Sequence, residues 1–235
     1  MREWLKKRKV APNKLYTFRD IEGNPNTEVI AALREIADQL GKREWFIGVS
    51  VRGSSTQDDA DFTRGSDVDI TVFADFTRAA RIVRTLENDV RARLESIGRE
   101  KKLKIELRRV ELVTPAALCT EVQMSLDEIP IPGHVRSQIA LLSHVGVGEK
   151  LYALRDAIRN ILSSATPAFR QKLYEEAAID LARDDVLSFP KRVGKMDIKG
   201  ALHMHKERYR NTRQRLWVRR LRLLWEPRDK TVENE

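Results

Sequence analysis

Apolar residues at helical intervals (Val29, Ile30, Leu33, Ile36, Ala37, Leu40) predict an amphipathic helix from Thr27 to about Lys42. Asn26 and Thr27 supply its cap and Gly41 its stop. The period then shortens. Trp45 to Val51 and Asp67 to Ala74 read as strands, separated by the polar run Ser55 to Ser66. Thr77 is a candidate cap for a long helix carrying Ile82, Val83, Leu86, Val90, Leu94 and Ile97, with Gly98 at its end. Leu103 to Val113 alternates again and reads as a third strand. Beyond Pro115 strand signals thin out, and helices are predicted over 133–145, 148–163, 168–187 and 199–225, punctuated by Pro130, Pro132, Pro167 and Pro190.

This order predicts an α+β fold: a mixed sheet flanked by helices, followed by a helical region. The expected divisions are a basic lead-in over 1–24, a sheet-bearing domain over 25–128, a helical domain over 129–228 and a polar tail over 229–235. Charged residues make up 34% of the chain and hydrophobic ones 41%, the balance of a globular protein with a charged surface. A net charge of +9 favours a polyanionic partner. The lone Cys119 excludes an intrachain disulfide and suits a reducing compartment. The basic N-terminus lacks the apolar stretch of a secretory signal, and no run approaches the ~20 apolar residues of a membrane span. The expectation is a cytoplasmic protein with no membrane partner.

The residues that carry chemistry concentrate between Gly48 and Asp75. Asp67 and Asp69, two positions apart at the start of an apolar strand, point to one face. Like charges so placed repel unless a cation lies between them, and hard divalent cations take such oxygen ligands. Asp59 and Asp61 share that spacing but sit in a polar run and read as solvated loop. Upstream, the small Gly53-Ser54 turn lets backbone N–H groups approach a phosphate. Arg52, Arg64 and Ser66 flank these groups and are candidate phosphate contacts.

Gly53-Ser54, a spacer, then Ser66-Asp67-Val68-Asp69 resembles the polymerase-beta-type nucleotidyltransferase superfamily. Arg64 to Phe73 is similar to the corresponding segment of oligoadenylate synthetases and bacterial cyclic-nucleotide synthases. Val110 to Leu118 resembles the third-carboxylate strand of minimal nucleotidyltransferases, with Glu111 where Asp usually stands. The likeness covers roughly residues 25 to 120. A second alignment lays the phosphate turn on Gly48-Val49-Ser50-Val51-Arg52-Gly53. The first retains the hydroxyl and is preferred; the second gives Arg52 a place in the motif.

Two-metal nucleotidyl transfer calls for a third carboxylate. In a regular strand Glu106 shares a face with Lys102, Lys104 and Arg108, a solvated pattern. Glu111 shares the face of Leu103, Ile105 and Leu107. Glu111 is therefore expected to join Asp67 and Asp69, with Glu106 the alternative. The four histidines carry no metal or triad spacing and read as structural.

From His205 to Arg222 the chain carries eight cations against Glu207 alone, interleaved with Tyr209, Leu216, Trp217 and Leu221. Arg213, Arg215, Arg219, Arg220 and Arg222 are candidate contacts to a phosphate backbone. The resemblance implies Mg²⁺ or Mn²⁺ as cofactor and a nucleoside triphosphate, ATP foremost, as substrate. With the basic helix it leads to the expectation of NMP transfer onto an RNA or tRNA end. Two alternatives stay open: transfer to a protein, small molecule or nucleotide, and a non-catalytic nucleic-acid-binding module.

Overall fold

A computed structural model describes residues 27–52, 68–101, 103–126, 130–187 and 199–226. The fold is α+β. Helix α1 (Thr27–Gly41) leads into strand β1 (Phe46–Arg52), and strand β2 (Val68–Asp75) follows. A single helical turn, α2 (Phe76–Ala79), precedes helix α3 (Val83–Lys101) and strand β3 (Ile105–Val113). Helices α4 (Pro115–Met124) and α5 (Gly133–Leu142), the short strand β4 (Gly146–Val147), and helices α6 (Glu149–Ser163), α7 (Pro167–Leu187) and α8 (Lys199–Trp225) complete the chain.

The sheet runs β3-β2-β1-β4. β1 is antiparallel to β2 and β4; β2 and β3 are parallel, joined by the α3 crossover. β2 is the most protected strand, with every residue from Val68 to Ala74 buried, as expected of a central strand covered on both faces. On one face Val49, Val51, Val68, Ile70 and Val72 pack with Leu33, Ile36 and Leu40 of α1 and Leu86, Val90 and Leu94 of α3. On the other, Ile47, Phe73 and Val113 meet a larger core drawn from α4 to α8.

Asp75 caps α2 by accepting from the Thr77 amide at 2.9 Å. That makes a turn of its own and delays the long helix, so Ile82 and Val83, expected on the buried face, lie 36% and 39% exposed. Gly98 does not end α3, which runs on to Lys101; a Cβ there would stand 2.7 Å from the Leu103 carbonyl oxygen where the chain folds back into β3. α4 was not anticipated, and its Leu118 and Val122 already belong to the helical core, upstream of the expected boundary near 128.

Polar groups fix the helical half internally. The buried Arg155 guanidinium donates to the Leu142 and His144 carbonyls at 2.9 and 2.6 Å, satisfying the end of α5. Burial pushes its pKa down to about 10. Trp217, Leu221 and Trp225 form the buried stripe of α8. The Trp225 indole N–H donates to Ser143 Oγ at 2.8 Å, and Trp217 meets His144 edge-on.

Candidate functional site

β1 exits the sheet at Arg52 and β2 enters it at Val68, with Arg52 paired to Asp69. Both ends of the Gly53–Asp67 segment are therefore tied to one end of the sheet, beside Asp69. Gly53, Ser54, Arg64, Ser66 and Asp67 themselves lie outside the described residues, as does the Arg52 side chain. Asp69 is described fully. It is 6% exposed, and its charge is answered by a fork from Arg108. Arg108 Nε lies 2.8 Å from Asp69 Oδ1, and Nη2 donates to Oδ2 at 3.1 Å.

The register places Glu106, and not the expected Glu111, beside Asp69. β3 carries a bulge: Leu107 pairs with Ile70 and Arg109 with Thr71, so Arg108 is the extra residue. Five positions separate Glu106 from Glu111, which in a regular strand puts them on opposite faces. The extra residue brings both to the face of Asp69. Glu106 pairs with Asp69, one strand spacing away (~4.8 Å). Glu111 pairs with Phe73, four residues further along, or about 13 Å at the rise of a strand. Two ligands of one Mg²⁺ each lie ~2.1 Å from the ion, so Glu111 does not share a cation with Asp69. It is instead held by Arg109 (Nε to Oε2, 3.1 Å) and by Gln138 Nε2, which donates to Oε1 at 3.3 Å. Glu106 pairs with Lys104, 3.0 Å away.

Gly48, the glycine of the second alignment, pairs with Phe73 and so lies at the far end of β1 from Asp69. It has a packing reason to be glycine: an added Cβ would stand 2.6 Å from Leu151 Cβ. Gly48 is therefore not beside Asp69, and Gly53-Ser54 lies outside the described residues. Between these ends, Ser50 and Thr71 pair across β1 and β2 on the face of Asp69. Both hydroxyls are buried without a hydrogen-bond partner among the described residues. Buried hydroxyls are normally satisfied, so this part of the face is a polar floor rather than ordinary core.

Among the described residues no cluster of three or more His, Cys, Asp or Glu side chains is placed to hold a metal ion. Of the expected donor set, Asp69 and Glu111 are described, and the alternative, Glu106, is the one paired with Asp69. Two carboxylates on adjacent strands are hard oxygen donors of the kind a divalent cation takes, and here the buried one is compensated by Arg108.

The basic helix divides. Arg215, Arg219 and Arg222 are exposed on α8, as their spacing predicts, and Arg222 also reaches Gln171 of α7, with Nε donating to Oε1 at 3.1 Å. Arg220 is corrected: it is 5% exposed, with its guanidinium 5.3 Å from the centre of the Trp217 ring. It belongs to the packing of the helical half, not to a phosphate-facing surface. The Arg213 side chain lies outside the described residues. No helix among them is long and apolar enough to cross a membrane.

Sequence reasoning missed the Arg108 fork and the Asp69–Glu106 pairing. The signal was in β3 itself. Its apolar residues facing α1 and α3 fall at 105, 107, 110 and 112, and the three-residue step across Arg108-Arg109 marks the slipped period. No protein-family profile, no curated protein and no solved structure matches this chain.

Proposed function

We propose that the chain is a metal-dependent nucleotidyltransferase, and that Asp69 and Glu106, with Asp67, hold the cation. The observation that carries this reading is the buried Asp69 carboxylate. It sits beside a second acid on the neighbouring strand, at the sheet end where the Gly53–Asp67 segment leaves and returns. A bound Mg²⁺ or Mn²⁺ would neutralise charge on the transferring phosphate and acidify the attacking hydroxyl. The chain's own part is positional. The sheet fixes Asp69 and Glu106 side by side, and the helical half shields the floor formed by Ser50 and Thr71. Backbone N–H groups of Gly53 and Ser54 would receive the triphosphate. In the reaction the acceptor hydroxyl oxygen bonds to the α-phosphorus and loses its proton to solvent. The bond from that phosphorus to the bridging oxygen breaks, and pyrophosphate leaves.

The exposed Arg215, Arg219 and Arg222 favour an RNA end as acceptor over a small molecule, since a row of cations on one helix face suits a phosphate backbone. Incubation with each α-labelled nucleoside triphosphate, Mg²⁺ and total RNA tests the reading. Label should enter RNA and be lost on chelation. Label entering the protein fraction instead would replace the acceptor, and no Mg²⁺-dependent transfer to any species would overturn the proposal.

A further inference from the structure

We infer that Arg108 is a positioning residue that latches Asp69 in the cation-free protein and withdraws when a divalent cation binds; the inference rests on the reading of Asp69 as a cation ligand. Arg108 Nε lies 2.8 Å from Asp69 Oδ1 and Nη2 donates to Oδ2 at 3.1 Å, so a metal ion and the guanidinium compete for the same carboxylate.

The two partners differ in freedom. The Asp69 side chain is 9% exposed and that of Arg108 is 61% exposed. The carboxylate stays and the guanidinium can leave. Arg108 owes its aim to the bulge, because it is the extra residue of β3 and has no register partner on β2. Bulges re-aim a side chain in this way and recur beside functional sites. β3 is also the edge of the sheet, and Arg108 borders a shallow cavity shared with Arg91, Glu95 and Glu106. Of these, Glu95, which takes no part in holding the cation, can receive the guanidinium once it lets go. Arg109, the next residue, is committed elsewhere, to Glu111 at 3.1 Å.

The latch keeps a buried carboxylate compensated between turnovers, which an unpaired Asp69 could not be without cost. Its consequence is a weakened apparent affinity for the bare cation, because the closed fraction must open first.

The test is Mn²⁺ titration of the nucleotide-free protein, reading free Mn²⁺ by electron paramagnetic resonance. Arg108→Ala should bind Mn²⁺ roughly 5- to 30-fold more tightly than the parent, the factor by which a mostly closed latch suppresses binding. Arg109→Ala, which removes an equal charge next door, should stay within about twofold. If Arg108→Ala does not fold, Arg108→Gln keeps the side-chain stem and carries the same comparison. Unchanged or weaker binding in the Arg108 variant overturns the latch, as does equal tightening in Arg109→Ala, which would show only a general field. If the parent and every Arg108 variant fail to bind Mn²⁺, or if Asp69→Asn binds it as well as the parent, Asp69 is no cation ligand. The functional reading then falls together with the latch.

Discussion

Replacing Gly48 with alanine separates two explanations for that glycine. In the second alignment it would form the phosphate turn; in the structure it is the point where β1 and α6 touch. An alanine Cβ would lie 2.6 Å from Leu151 Cβ, 2.9 Å from Leu151 Cδ2 and 3.0 Å from the Val147 carbonyl oxygen. The nearest atom is a Cβ, fixed to the backbone, so no rotamer change relieves it. α6 must move by about 1 Å or β1 must bend, an overpacking cost of ~1–3 kcal/mol. Restricting the unfolded chain returns ~0.4–1 kcal/mol. The net loss of up to ~2.5 kcal/mol lowers Tm by as much as ~10 °C for a chain of this size. Leu151→Ala should not rescue it, because the offending Cβ remains. Thermal unfolding by circular dichroism reads the stability, and Mg²⁺-dependent binding of a fluorescent nucleoside triphosphate, measured well below Tm, reads the site. Binding within about twofold of the parent is expected, since Gly48 lies about 13 Å along the strand from the Asp69 pairing. A variant with parental Tm that has lost nucleotide binding would refute the packing argument and restore Gly48 to the phosphate turn.

Arg155→Met should lower stability by about 2–4 kcal/mol in urea unfolding, because the Leu142 and His144 carbonyls lose their donor; a neutral effect would show that the cost of burying the charge cancels those bonds. Changing Arg215, Arg219 and Arg222 together to alanine should flatten the salt dependence of single-stranded RNA binding by about 2, at ~0.7 per contact, and an unchanged slope would make this face ordinary solvated surface. Arg220→Ala should instead lower Tm and leave the slope alone, since that side chain is buried over Trp217. Burial raises the Cys119 pKa, which lowers its thiolate fraction at pH 8. Alkylation by iodoacetamide should therefore be slower in the folded than in the urea-unfolded chain, and equal rates would contradict it.

Three of the strands and most helices were legible from their apolar patterning. Leu33, Ile36 and Leu40 mark α1, and Trp217 and Leu221 mark α8, whose buried Trp225 the spacing had not singled out. α4 was not, since Leu118 and Val122 alone supply its buried positions; Pro115 is its first residue. β4 is two residues long and carries no period. At the site, Asp69 was legible as a charge interrupting an apolar strand. Its neighbour was not, because strand alternation assumes no bulge, and one extra residue at Arg108 reverses the facing of everything after it. Arg220 shows the corresponding limit of helical spacing: a cation on the buried side of α8 is held there by an aromatic ring that periodicity alone does not reveal.

Pyrophosphate release by the parent, Asp69→Asn, Glu106→Gln and Glu111→Gln in Mg²⁺ and nucleoside triphosphate addresses the centre itself. Asp69→Asn and Glu106→Gln should each cost on the order of 10²-fold or more, the ~3 kcal/mol expected when a cation that neutralises the transferring phosphate is lost. Glu111→Gln should stay within a few-fold of the parent, because Glu111 meets Arg109 and Gln138 and not the Asp69 oxygens. An inactive Glu111→Gln beside an active Glu106→Gln, or full turnover in Asp69→Asn, would contradict the account.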